Sequence, residues 1–150
     1  MAETVSAAIE IDAPPEHVWA VLSDLAGYPQ WHPVFTEVSG QLTAGNKISL
    51  TSTQPQTGRT MTAKVKVLTA EPDTELRWTS KMLGLPISER IFRLSPTGDG
   101  TSVEQAGTYR GLGASRARNT VKTIERIQDT YAAINQAIKQ PAEARQRAAG

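Results

Sequence analysis

The chain has 150 residues, enough for one domain with a substantial core and too few for two comfortable ones. Sixteen Lys and Arg against 15 Asp and Glu leave a net charge of +1, so no bulk attraction to nucleic acid or acidic membranes is built in. The absence of Cys removes disulfides, thiol catalysis and Cys-based zinc sites, and no window approaches the roughly 20 apolar residues that span a bilayer.

The opening MAETVSAAIEID has no basic segment followed by a long apolar run. No signal peptide is therefore expected, and a soluble cytoplasmic domain is the simplest reading. Thr4 to Ile11 alternates as a first strand. Pro14 and Pro15 then open a short helix, because the amide hydrogens they lack would be unpaired there. Val18, Val21, Leu22 and Leu25 recur at helical spacing and predict its buried stripe. Gly27, Pro29 and Pro33 stop regular structure, with Trp31 and His32 held between the prolines.

Val34 to Gly40 reads as a second strand and Ala44-Gly45-Asn46 as a turn. Lys47 to Thr53 follows, then a polar loop over Gln54 to Gly58. Thr60 to Thr69 alternates Met61, Ala63, Val65 and Val67 against Thr62, Lys64 and Lys66, the pattern of a half-buried strand. Glu71-Pro72-Asp73 turns the chain into Glu75 to Ser80, with Leu76 and Trp78 inward, and Gly84 and Pro86 break the next loop. Ser88 to Leu94 and Thr101 to Gly111 form a final hairpin around Ser95-Pro96-Thr97-Gly98-Asp99-Gly100. Gly111 and Gly113 bend the last strand into a helix; the surrounding pattern matches no phosphate-binding loop.

From about Ala114 to Lys139 the period changes from two to 3.6. Ala117, Val121, Ile124, Gln128, Tyr131, Ile134 and Ile138 share one broad face, and Arg118, Lys122, Arg126 and Asp129 the other. Such a helix of about 25 residues is about 38 Å long, enough to cross a sheet. Residues 1–140 are thus expected to form one domain, with 141–150 a flexible tail. Strands joined by short turns pair antiparallel, and one long helix covers one face of their sheet. The fold class is α+β.

The segment IDAPPEHVWAVLSDLAGYPQWHP resembles the opening of the START-like, or Bet v 1-like, superfamily (SRPBCC), which includes polyketide cyclases and lipid carriers. VSGQLTAGNKISL, ELRWTS, ERIFRLSP and GDGTSVEQAGTYRGL are similar to its later strands, in the same order. The resemblance implies a helix-grip fold: a curved seven-stranded antiparallel sheet around a long C-terminal helix, with two short helices after the first strand closing a ligand cavity. One departure stands out. Many relatives carry an acidic residue two places before the aromatic of the last strand, where this chain has Gly107 before Tyr109.

Period-two logic places Arg90 beside Phe92 and Leu94, and Gln105, Gly107 and Tyr109 beside Val103, while Trp78 brings Ser80 inward. Arg90 and Tyr109 are the candidate catalytic residues. Arginine, always charged, would hold a carboxylate, phosphate or developing enolate oxygen, and the phenol would orient or protonate a carbonyl. Ligand contacts are expected from Trp31, His32, Met61, Trp78, Ser80, Gln105, Ile124 and Gln128. Each has a structural alternative: Arg90 pairing with Glu89 at the sheet rim, Gln105 bonded to the long helix, His32 a plain turn residue. His17 and His32 have no matching carboxylate spacing, so no metal is expected, and no cofactor is needed.

The function expected is a polyketide cyclase/dehydrase-like protein binding a hydrophobic, oxygenated small molecule, with cyclisation or dehydration left open. A non-catalytic lipid or quinone carrier is the alternative. A regulatory or co-chaperone-like module is a third, in which the Arg118, Lys122 and Arg126 stripe would be the contact surface. Neither nucleic acid nor stable membrane insertion is expected, and the chain is read as a monomer or homodimer.

Overall fold

Pro15 takes the first helical position after Pro14, so the route from strand to helix follows from the missing amide hydrogens. The computed structural model describes residues 2–53, 57–82, 85–110 and 117–149. Strand β1 (Ala2–Ile11) leads into α1 (Pro15–Ser23), a 3-10 turn (Leu25–Gly27) and α2 (Tyr28–Trp31). The predicted stripe of Val18, Val21, Leu22 and Leu25 is buried throughout. Six strands follow: β2 (Phe35–Gly40), β3 (Lys47–Thr53), β4 (Thr60–Glu71), β5 (Glu75–Met82), β6 (Leu85–Thr97) and β7 (Gly100–Arg110). Helix α3 (Ala117–Ala149) closes the chain.

The seven strands form one sheet in the order β1-β7-β6-β5-β4-β3-β2, and each neighbouring pair is antiparallel. Short turns explain the sequential pairings; Gly98, at φ 61°, supplies the backbone that the tight β6–β7 turn requires. Only β1 pairs out of order, reaching across to β7 because α1 and α2 carry the chain from one sheet edge to the other. Helix α3 packs on β1, β7 and α1. Ile134, Ile138 and Ala142 of α3 join Ile11, Leu22, Leu76 and Val103 in the core. This is the helix-grip α+β fold, a curved antiparallel sheet gripping a long C-terminal helix.

The structure departs from the sequence pattern in three places. Helix α3 continues through Pro141 to Ala149, where the pattern ends at Lys139. Two anchors hold the extension: Ala142 is fully buried, and Glu143 accepts from the Asp12 amide (2.8 Å) and pairs with Lys139 (2.7 Å). These offset the helical hydrogen bond that a proline removes. Met61, placed inward by alternation, is 62% exposed. Alternation sets the face of the strand, but the core packed against β4 reaches only as far as Val65 and Val67. Gln128, assigned to the apolar face of α3, is exposed, whereas Tyr131, Ile134 and Ile138 of that face are buried as expected and Asn135 joins them. Residues 54–56 of the polar loop, Gly84, Gly111, Gly113 and the side chains of Pro86, Ala117, Arg118, Val121 and Lys122 lie outside the described residues.

Candidate functional site

Strand register assembles the site. Three inward rows cross β5, β6 and β7: Leu76–Phe92–Gln105, Trp78–Arg90–Gly107, and Ser80–Ser88–Tyr109. Arg90 therefore sits mid-sheet, between an aromatic residue and a glycine, with Tyr109 one row further along. Above this patch lies α3, which contributes Arg126, Ile127, Thr130 and Tyr131. Together with Arg90 and Tyr109 these residues line a cavity of about 230 Å³.

The Arg90 guanidinium has no ion pair among the described residues. Its expected rim partner, Glu89, binds Arg77 at 3.0 Å on the other face of the sheet. Arg90 instead turns inward and donates one N–H to the side-chain oxygen of Gln105. Its carbon lies 4.8 Å from the ring centre of Tyr131, 5.7 Å from Trp78 and 5.9 Å from Phe92. Aromatic faces attract a cation at such distances, worth about 0.5–2 kcal/mol each according to desolvation. The Arg90 Nε is buried without a hydrogen-bond acceptor.

Gln105 is fully buried and its amide is fully engaged. Its nitrogen donates to Asn135 Oδ1 (2.9 Å) and to the Tyr131 carbonyl (3.3 Å), while Asn135 donates to the Ala7 carbonyl (3.1 Å). This chain ties β6, β7, α3 and β1 together and fixes where Arg90 points. Gln105 thus both bonds the helix and orients the guanidinium.

The hydroxyls of Tyr109 and Tyr131 are hydrogen-bonded to each other. Burial pushes the Tyr131 phenol above its ordinary value, against the opposing pull of Arg90, so it stays protonated at neutral pH. Gly107 makes this arrangement possible. A Cβ built there would lie 1.9 Å from the Tyr131 hydroxyl oxygen, far inside contact distance. The space beside Gly107 is filled by a phenol from the helix.

His32 is buried, 9% exposed. Its Nδ1 accepts from the amides of Val34 and Phe35, both at 3.0 Å. The ring stacks on Phe35 (centres 4.3 Å apart) and Tyr28 (5.6 Å), and the Tyr28 hydroxyl donates to the Leu22 carbonyl. Burial, then the Arg90 charge, lowers its pKa to about 3, so the imidazole is neutral. Trp31 is half-buried against Tyr28 and His32.

Of the predicted site residues, Arg90 and Tyr109 meet at the cavity. Trp78 and Gln105 support Arg90 from behind, and Ser80 is half-buried on the Tyr109 row. Ile124 is half-buried on α3 outside the described cavity lining, and Met61 and Gln128 face solvent. Arg126, assigned to the solvated stripe, is exposed and also forms the cavity rim. Tyr131 and Asn135 were not anticipated as site residues. The available clue was a polar residue four places after Tyr131 on the buried face of an amphipathic helix. A larger hollow, about 440 Å³, lies on the outer sheet face among Lys47, Lys64, Lys66 and Thr79, with no aromatic residue or carboxylate in its described lining. Among the described residues no cluster of His, Asp and Glu is placed to hold a metal ion, and no helix is long and apolar enough to cross a membrane.

Similar folds are known. An aromatase/cyclase from Streptomyces, Zhui, superposes with a TM-score of 0.72 at 18% identity, covering 100% of this chain and 99% of its own. The di-domain aromatase/cyclase StfQ of steffimycin biosynthesis gives 0.79 at 12% identity, with 97% of this chain on 52% of that one. A Nitrosomonas europaea protein gives 0.79 at 15% identity, with 96% of each chain covered. These likenesses concern the fold. No curated protein sequence matches the chain. Residues 2–143, which hold every strand, the Arg90–Gln105–Asn135 network and both tyrosines, match the family described as polyketide cyclase / dehydrase and lipid transport, and the chain belongs to that family.

Proposed function

We propose that this protein binds a hydrophobic, oxygenated small molecule between the sheet and α3, and that Arg90 and Tyr109 act on an oxygen of that ligand in a cyclisation or dehydration that needs no cofactor. The observation that carries this reading is Arg90: an inward guanidinium held by Gln105, without an acidic partner among the described residues, beside a cavity whose other described polar groups are Tyr109, Tyr131, Thr130 and Arg126. A fixed cation is suited to charge that develops on an enolate or alkoxide, since its cost of orientation is met in folding. The cavity walls would fold the substrate into a reactive conformer. Arg90→Ala and Tyr109→Phe should each reduce turnover more than they weaken binding. Turnover left intact in both variants would refute these roles.

A second reading, non-catalytic carriage of an apolar ligand, is favoured by the state of His32. Its Nδ1 lone pair accepts from two backbone amides and burial lowers its pKa to about 3, so this imidazole is a poor proton acceptor. No carboxylate lines the described cavity. Native mass spectrometry of the protein purified from its own host separates the two. An unaltered ligand retained across preparations supports carriage; release of a cyclised or dehydrated product supports catalysis.

A further inference from the structure

We propose that Arg90 and the Tyr131 hydroxyl, seated by Gly107, form an anion-reading pair that selects small single-ring carboxylates over their neutral analogues. This rests on the reading that the cavity takes a small molecule, and it names the class.

Three observations converge. First, the charge is one-sided. The described lining holds two guanidinium groups, Arg90 and Arg126, and no carboxylate. A cation facing a cavity lined by Ile127 and two phenols lacks a counter-charge, and a ligand carboxylate supplies one. Charge-assisted hydrogen bonds from a guanidinium are directional as well as strong, because its planar fork matches two carboxylate oxygens.

Second, the hydrogen-bond count leaves a donor over. Tyr109 and Tyr131 bring two hydroxyl hydrogens and share one bond between them. The second hydrogen is available to an oxygen lying between the phenols and Arg90. The phenol that burial keeps protonated is suited to that task, since a donor is needed there and an acid already ionised would repel the ligand.

Third, the space is made by design of the strand. Any side chain at position 107 would collide with the Tyr131 hydroxyl, and the nearest alternative occupant, the Tyr109 ring edge, is already 2.9 Å from a Cβ there. Gly107 is therefore the vacancy that lets a helix phenol stand over Arg90. An enclosed cavity of about 150 Å³ holds benzene, so about 230 Å³ has room for one ring bearing a carboxylate.

The test is titration of the intact chain with benzoate and with methyl benzoate, followed by amide chemical-shift changes in NMR. Benzoate is expected to bind at least about tenfold more tightly than the ester, a difference of about 1.4 kcal/mol. Arg90→Met should erase the preference for the acid over the ester. Tyr131→Phe and Gly107→Ala should each reduce it, and Tyr131→Phe keeps the question open to refutation if Gly107→Ala does not fold. Equal binding of acid and ester, or a preference that survives Arg90→Met, overturns the proposal and leaves the small-molecule reading standing. Failure of both probes to bind near Arg90 also overturns the proposal, while the small-molecule reading is decided separately by the retained-ligand experiment above.

Discussion

His32→Asn tests how the α2 turn is held and predicts a specific pH signature. In the folded chain the imidazole has a pKa of about 3, because it is buried and lies near the Arg90 charge. In the unfolded chain it titrates near 6.5. The unfolded state therefore binds the proton first, and the stabilisation from keeping this ring neutral is complete above pH 6.5. It is lost as pH falls from 6.5 toward 3. Between pH 7 and pH 4 the loss is about 3 kcal/mol, from roughly 2.5 pH units at about 1.4 kcal/mol each. Asparagine retains an acceptor for the amides of Val34 and Phe35 but has no proton to gain. It also loses the stacking on Phe35 and Tyr28, so the variant should be less stable at pH 7 by about 1 kcal/mol. Urea unfolding followed by tryptophan fluorescence, at both pH values, reads the difference. The wild type should lose about 3 kcal/mol more than the variant on acidification, because every other titrating group is common to both. Equal losses, or an imidazole that titrates near 6.5 by NMR in the folded protein, would refute the reasoning.

Gln105→Leu should cost about 1–3 kcal/mol in urea unfolding, since it leaves Arg90 and Asn135 without their shared partner; a smaller change would mean that water replaces the amide. Leu76→Ala, at a fully buried position in the row beneath Arg90, should destabilise by about 2–5 kcal/mol and lower the Tm accordingly. Pro141→Ala should raise stability by about 1–2 kcal/mol, because α3 already continues through this position; a lower Tm would refute that expectation. Glu143→Gln should cost under about 1 kcal/mol at neutral pH. The lowered carboxylate pKa places that contribution above the ordinary Glu range, and it disappears as pH falls.

Much of the fold is local chemistry and was legible in the residues. The prolines at 14 and 15, the Val18–Leu25 stripe and the turn glycines act within a few residues of themselves, so spacing alone locates α1 and the hairpins. Alternation also put Arg90, Gln105 and Tyr109 on one face, which the register of β6 and β7 bears out. Alternation does not say how far the helical cover reaches, so Met61 has the right parity and the wrong environment. His32 looked like a surface turn residue because its burial comes from Tyr28 and Phe35 closing on it in space. The pairing of Tyr109 with Tyr131, 22 residues apart, and of Gln105 with Asn135, 30 apart, depends on the azimuth and height at which α3 lies on the sheet. Packing of the whole core decides that placement. The sequence alone therefore determined which side chains point inward, and tertiary structure decided which of them meet, because periodicity is a property of one element and contact a property of two.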